Sequence, residues 1–211
     1  MNRYIAGLLL PGLLALWSAL SSADVQPTQV VFETPLGNIV VEVHEAKAPK
    51  AAAYFLGFVD RGDYAGSTFY RAGSLDSSAA AQLIQGGMFA KAVTSSEPVS
   101  VTDLGVPTLA AFETTADSGM RHEYGAISLA RDLLGGGDVV PEFAIYLREA
   151  PTSDFGGGPD GRGFPIFGKV VEGMEVVKAI THRDLSGTSF VDFLEGQILT
   201  EPVVITNVYR K

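Results

Sequence analysis

Residues 67–87 read STFYRAGSLDSSAAAQLIQGG, and this stretch decides the fold. It opens with a β-favouring run, Ser67-Thr68-Phe69-Tyr70, that ends in Arg71. After a small-residue loop it resumes as Gln82-Leu83-Ile84-Gln85 and closes on Gly86-Gly87. If the two runs pair as strands, Arg71 and Gln85 face one surface and offer a substrate amide both donors and an acceptor. A surface arginine and a polar strand position would read the same way. Residues 74–81, rich in Ser and Ala, read as an exposed excursion that carries a short helical turn.

Working outward, Gln29–Thr34 and Ile39–His44 form a hairpin around Pro35-Leu36-Gly37-Asn38, with Ile39, Val41 and Val43 on its core face. Pro49 starts a helix in which Ala52, Phe55, Leu56 and Val59 make an apolar stripe at helical spacing, and Gly62 ends it. From Ala90 to Ser118 short strands alternate with loops. Gly125–Ala130 is a strand leading to Arg131, residues 132–140 are a Gly-rich loop, and Glu142–Leu147 is another strand. Glu172–Ile180 is a second helix with Met174, Val177 and Ile180 on one side, and Pro202–Tyr209 is a closing strand. Many short strands with two well-separated helices predict a mainly β barrel plugged at its ends by helices.

Composition narrows the function classes. The 211 residues are 46% hydrophobic and 18% charged, which suits one large globular domain. The net charge is −9 and no Lys/Arg cluster occurs, so no nucleic acid is expected as a partner. There is no cysteine, which excludes disulfides, thiol nucleophiles and Cys-based zinc sites. His44, His122 and His182 are scattered, so no metal site is expected. Gly156–Gly161 formally matches G-x-G-x-x-G, but Pro159 and the strand that follows exclude the strand–turn–helix setting of a dinucleotide site.

The first 23 residues have their own chemistry. Arg3 precedes the apolar run GLLLPGLLALWSAL, and Ser21-Ser22-Ala23 place small residues before Asp24. This is the layout of a secretory signal peptide over residues 1–23, with the mature domain at 24–211. A spanning helix needs ~20 apolar residues, and this run is shorter and broken by Pro11. The expected location is periplasmic or secreted, without stable membrane insertion after cleavage. An uncleaved anchor is the competing reading.

The collinear motifs TFYR, LIQGG, HEYGAISLAR, PEFAIYL and FPIFGKVVEGMEVVKAI resemble the core of the cyclophilin-type peptidyl-prolyl isomerases across residues 29–211. The resemblance implies a closed eight-stranded antiparallel barrel with an α-helix at each end. It implies Arg71 and Gln85 as catalytic residues, and Tyr70, Gln82, Leu83, Ala130, Arg131, Glu142, Ala144 and Phe164 as substrate-binding residues. It implies no cofactor and no metal. The expected partners are proline-containing segments of unfolded exported proteins.

Isomerising an X–Pro bond means crossing a barrier of ~18–20 kcal/mol set by amide resonance. A guanidinium directed at the prolyl nitrogen favours the twisted state, in which the lone pair is released. The sequence departs from the family in the pocket. Gln82 stands where a phenylalanine is expected, Ala144 replaces the second of two phenylalanines, and Ser153 replaces a leucine. Burying a phenylalanine-sized surface contributes ~1.5–3 kcal/mol, so these losses predict weaker proline binding. The alternative is a catalytically weak or inactive cyclophilin-like peptide-binding or chaperone module.

Overall fold

The computed structural model describes residues 26–75, 81–95, 97, 104–132, 135–158 and 160–211. The expected signal segment, its cleavage point and residues 76–80 of the Ser74–Ala81 excursion lie outside the described residues. The described chain forms nine strands, β1 (Thr28–Thr34), β2 (Gly37–Val43), β3 (Thr68–Gly73), β4 (Leu83–Gly87), β5 (Ala126–Arg131), β6 (Val139–Tyr146), β7 (Ile166–Glu172), β8 (Ile198–Val204) and β9 (Asn207–Arg210). They build one curled antiparallel sheet in the order β8-β3-β4-β6-β5-β7-β2-β1-β9. Nine strands stand where eight were expected, because the closing stretch divides at Ile205-Thr206. Its first part pairs with β3 and its second with β1, at the two ends of the strand order.

Both long helices form where the apolar periodicity places them. Helix α1 (Pro49–Arg61) has Pro49 in its first turn and a left-handed Gly62 at its C-cap. Its Ala52, Phe55, Leu56 and Val59 are buried, joined by Ala51 and Phe58. The Glu113 carboxylate accepts the amides of Lys50 and Ala51 at 3.1–3.2 Å and so caps the positive end of the helix. The last helix, α4 (Met174–Thr181), buries Val176, Val177 and Ile180. Between them, the described part of residues 90–118 corrects the expectation of short strands, and residues 96 and 98–103 lie outside the described residues. That segment holds the single-turn helices α2 (Ala90–Val93) and α3 (Thr115–Ser118), the latter closed by a Thr114/Asp117 capping box, and one bridge, Leu109 to Val139. Thr114 and Asp117 satisfy a helix end locally, which a ladder would leave unpaired. Among the described residues no helix is long and apolar enough to cross a membrane.

The core is aromatic. Phe143 on β6 is fully buried, with ring centroids at 5.1 Å from Phe32, 5.5 Å from Tyr64 and 5.7 Å from Phe69. Phe55 of α1 lies 4.4 Å from Phe167 of β7, which fastens the helix to the sheet. Phe143→Ala should therefore destabilise the protein by ~3–5 kcal/mol, read as a lower denaturant midpoint with an unchanged slope. A loss below ~1 kcal/mol would place the structural centre elsewhere.

Candidate active site

Strands β3 and β4 pair with Arg71 directly opposite Gln85. The register shifts by a bulge between Phe69 and Arg71 on both sides of β3. Regular alternation would send Tyr70 and Arg71 to opposite faces. The bulge instead lets both reach the outer face, while Phe69 and Ala72 stay in the core. On β4, Leu83 and Gln85 share that outer face and Ile84 points inward. On β6, Glu142 and Ala144 face out while Phe143 and Ile145 face in. Ala130 and Arg131 at the end of β5, with Phe164 just before β7, complete the expected set apart from Gln82 around one cavity of about 470 Å³.

Gln82 is the correction. It does not line the cavity. It is buried just before β4, with Oε1 accepting from the Leu75 amide and Nε2 donating to the Glu149 carbonyl, both at 3.3 Å. Side chains alternate along a strand, so the position two before Gln85 shares its face and the position three before does not. Leu83 holds the wall in its place. The expected loss of apolar lining is also made good from elsewhere. Phe89, beside α2, lines the cavity, as do Phe190, Val191, Phe193 and Leu194 from the segment before β8. That segment contains a 3₁₀ turn (Asp192–Leu194) and is tied to α2 by Ser189 Oγ, which donates to the Val93 carbonyl at 2.6 Å.

Arg71 is 5% exposed, and among the described residues it has no carboxylate partner. Its Nη1 donates to Gln85 Oε1 at 2.8 Å. Its Nη2 and Nε donate to Gln197 Oε1 at 2.8 and 3.1 Å. Desolvation draws its pKa down, but a guanidinium stays ionised at any physiological pH. Gln197 is the residue that sequence reasoning missed. It lies 126 positions from Arg71, three residues after Leu194, and no periodicity marks it.

The second half of the network runs the other way from Gln85. Its Nε2 donates to the Tyr70 hydroxyl at 2.8 Å, and that hydroxyl donates to Glu142 Oε2 at 2.8 Å. Glu142 Oε1 accepts the Phe89 amide at 2.8 Å. Burial pushes the Glu142 carboxyl up to about 8, against the pull of these hydrogen bonds. Gly87 makes room for it. The glycine sits at φ 145°, and a Cβ there would lie 2.3 Å from Glu142 Oε1.

Arg131 is occupied by structure. Its Nε donates to the Gly137 carbonyl at 2.7 Å, and Nη1 donates to the Gly163 carbonyl and to Asp160 Oδ1, both at 2.9 Å. These bonds tie Gly137 to Asp160 and Gly163 through the arginine. Asp160 is held well below the usual carboxylate range by Arg131 and Arg162. The described part of the G-x-G-x-x-G stretch lies between a 3₁₀ turn (Pro151–Ser153) and β7, so no helix opens on it.

Comparison with known proteins agrees with this geometry. The family described as cyclophilin type peptidyl-prolyl cis-trans isomerase/CLD matches residues 29–210. Peptidyl-prolyl cis-trans isomerase cyp18 of Streptomyces antibioticus is 32% identical over 152 residues, covering 72% of this chain and 81% of that protein. Peptidyl-prolyl cis-trans isomerase A of Dickeya dadantii is 30% identical over 157 residues, covering 73% and 71%. A cyclophilin type isomerase of Cryptosporidium parvum superposes with a TM-score of 0.59 at 16% identity, over 88% of this chain and 98% of that one. The same protein, crystallised in the presence of the dipeptide Ala-Pro, superposes with a TM-score of 0.58 at 17% identity, over 87% and 98%. The chain belongs to the cyclophilin family and is a peptidyl-prolyl cis-trans isomerase.

Proposed function

We propose that Arg71 is the catalytic residue of the isomerisation and that Gln85 holds the substrate backbone beside it. The observation that carries this reading is a buried guanidinium that, among the described residues, is anchored by neutral carbonyls, those of Gln85 and Gln197 at 2.8 Å. A carboxylate partner would neutralise Arg71, whereas glutamine carbonyls fix it and leave its charge to act on the substrate. As the X–Pro bond twists, the nitrogen lone pair is released from resonance and becomes a better acceptor. A fixed donor aimed at it binds the twisted state more strongly than the planar one. The apolar wall of Leu83, Ala144 and Phe164 takes the proline ring, and no proton transfer or covalent intermediate is needed.

The substrates, in this reading, are proline-containing segments of unfolded exported proteins. Supporting it are the Arg3-led apolar leader with its small-residue end, and a cavity whose lining is mostly apolar. The domain then works in the periplasm or outside the cell, free of the membrane once residues 1–23 are removed. We also read the sheet as a closed eight-stranded barrel, with β8 and β9 as halves of one bent strand. Supporting this, Ile205 N donates to the Ser67 carbonyl and Thr206 N to the Glu33 carbonyl, both at 2.8 Å, on either side of the bend.

Arg71→Ala should lower kcat/KM on X–Pro peptides by two to three decades, equivalent to ~2.7–4 kcal/mol, with the circular dichroism spectrum unchanged. A folded Arg71→Ala variant with wild-type kcat/KM would remove Arg71 from the mechanism. For export, intact-mass analysis of protein recovered from the periplasm or medium should give a chain starting near Asp24. Full-length chain in the membrane fraction would favour the anchor.

A further inference from the structure

Every donor in the buried network points the same way. Arg71 donates to Gln85, Gln85 donates to Tyr70, and Tyr70 donates to Glu142, each at 2.8 Å. Glu142 ends the series, and its second oxygen also receives a donor, the Phe89 amide. An ionised carboxylate accepts at both oxygens and donates at neither. Arg71, which only donates, fixes one end of this direction, and the ionised carboxylate fixes the other.

We propose that Glu142 is a positioning residue for the isomerisation: its ionised carboxylate, acting through Tyr70, fixes which way the Gln85 amide faces and so holds Arg71 in place. The inference rests on the catalytic reading of Arg71 and Gln85. The effect of one added proton shows the dependence. On Oε1 the proton meets the Phe89 N–H, donor against donor. On Oε2 it donates to the Tyr70 oxygen, and the tyrosine hydrogen loses the acceptor it has in the ionised state. Gln85 presents its own donor there, so either the buried tyrosine hydrogen stays without an acceptor or the amide turns over. Its NH₂ then faces Arg71 Nη1, which loses its acceptor.

The ionised form is thus the competent one, and burial places its titration at about 8. Activity should be present above that value and lost as pH falls through it. Stability runs the opposite way. The folded pKa lies above the ordinary 4.5, so this group's contribution is full below 4.5 and is lost as pH rises through about 8. The titratable groups around Glu142 do not share this range. Tyr70 of β3, Tyr54 of α1 and Tyr64 beyond it are all raised by burial and by Glu142 itself. Tyr146 of β6 is raised by burial, and His122, packed against it at 4.6 Å, is lowered by burial. Arg71, the cation at the other end of the network, stays charged throughout.

The test is kcat/KM on an X–Pro peptide from about pH 6 to about pH 9.5 for wild type, Glu142→Gln and Tyr70→Phe. Wild type should climb by roughly tenfold or more with a midpoint near 8, and both variants should be flat. Glutamine keeps an acceptor for Tyr70 but cannot ionise, so it separates charge from packing. The side-chain amide resonances of Gln85, followed by ¹⁵N–¹H NMR in the wild type, need no variant and should move with the same midpoint. A flat wild-type profile, a wild-type profile in Glu142→Gln, or a Gln85 amide that does not titrate would each overturn the inference. If Arg71→Ala is inactive while the wild-type profile is flat, Glu142 loses its role and Arg71 keeps its own. If Arg71→Ala is fully active, the catalytic reading falls and the Gln85 titration still decides whether Glu142 orients the amide.

Discussion

A guanidinium withdrawn from water has to be satisfied by protein groups, and at Arg71 the groups are amides. Taking a charge out of water costs several kcal/mol even after the protein relaxes. The usual remedy, a buried carboxylate partner, would cancel the field that isomerisation needs. Gln85 and Gln197 supply acceptors without charge. They come from 14 and 126 positions away, so the site exists only once β4 and the segment before β8 flank β3. The strand order β8-β3-β4 provides that juxtaposition.

The same constraint reaches down into the core. For Tyr70 and Arg71 to share the outer face, β3 must bulge between two inward residues, Phe69 and Ala72. Phe69 is held by Phe143, the residue that β6 sends inward between Glu142 and Ala144. Gly86 sits across from Phe69, and a Cβ on it would lie 2.8 Å from the Thr68 carbonyl. Gly86 and Gly87 are thus spacers, one against the bulged strand and one against the carboxylate. The rigid aromatic cluster below fixes the backbone that carries the polar residues above.

What the sequence made legible was periodic or local. Alternation in β2 and the helical stripe of α1 each named their buried residues, and Pro49 and Gly62 bounded the helix. The pairing of Arg71 with Gln85 followed from two β-rich runs joined by a short excursion. Gln82 was misplaced because likeness to the family outweighed parity, although alternation from Gln85 already favoured Leu83. The contribution of Phe190, Phe193 and Gln197 was not legible, since nothing periodic marks a loop residue that reaches a strand far away in sequence. The division of the last strand at Ile205-Thr206 was equally hidden, because it arises from pairing with two different neighbours.

Arg71 and Glu142 line the same cavity with opposite charge, and a direct ion pair between them would satisfy both at once. The structure interposes Gln85 and Tyr70 instead. Each charge is then stabilised by dipoles, and each keeps most of its field. Stability is given up by this arrangement, as the upward shift of Glu142 records. Sites that do chemistry commonly break the rule that buried charges pair, with compensation elsewhere in the fold. Here the compensation is the packed aromatic core on the inner face of the same strands. Replacing the separated charges by a tight Arg–Glu pair would favour the fold and remove the cation from the substrate. On the proposed reading, the two neutral side chains between them keep the guanidinium available to the substrate.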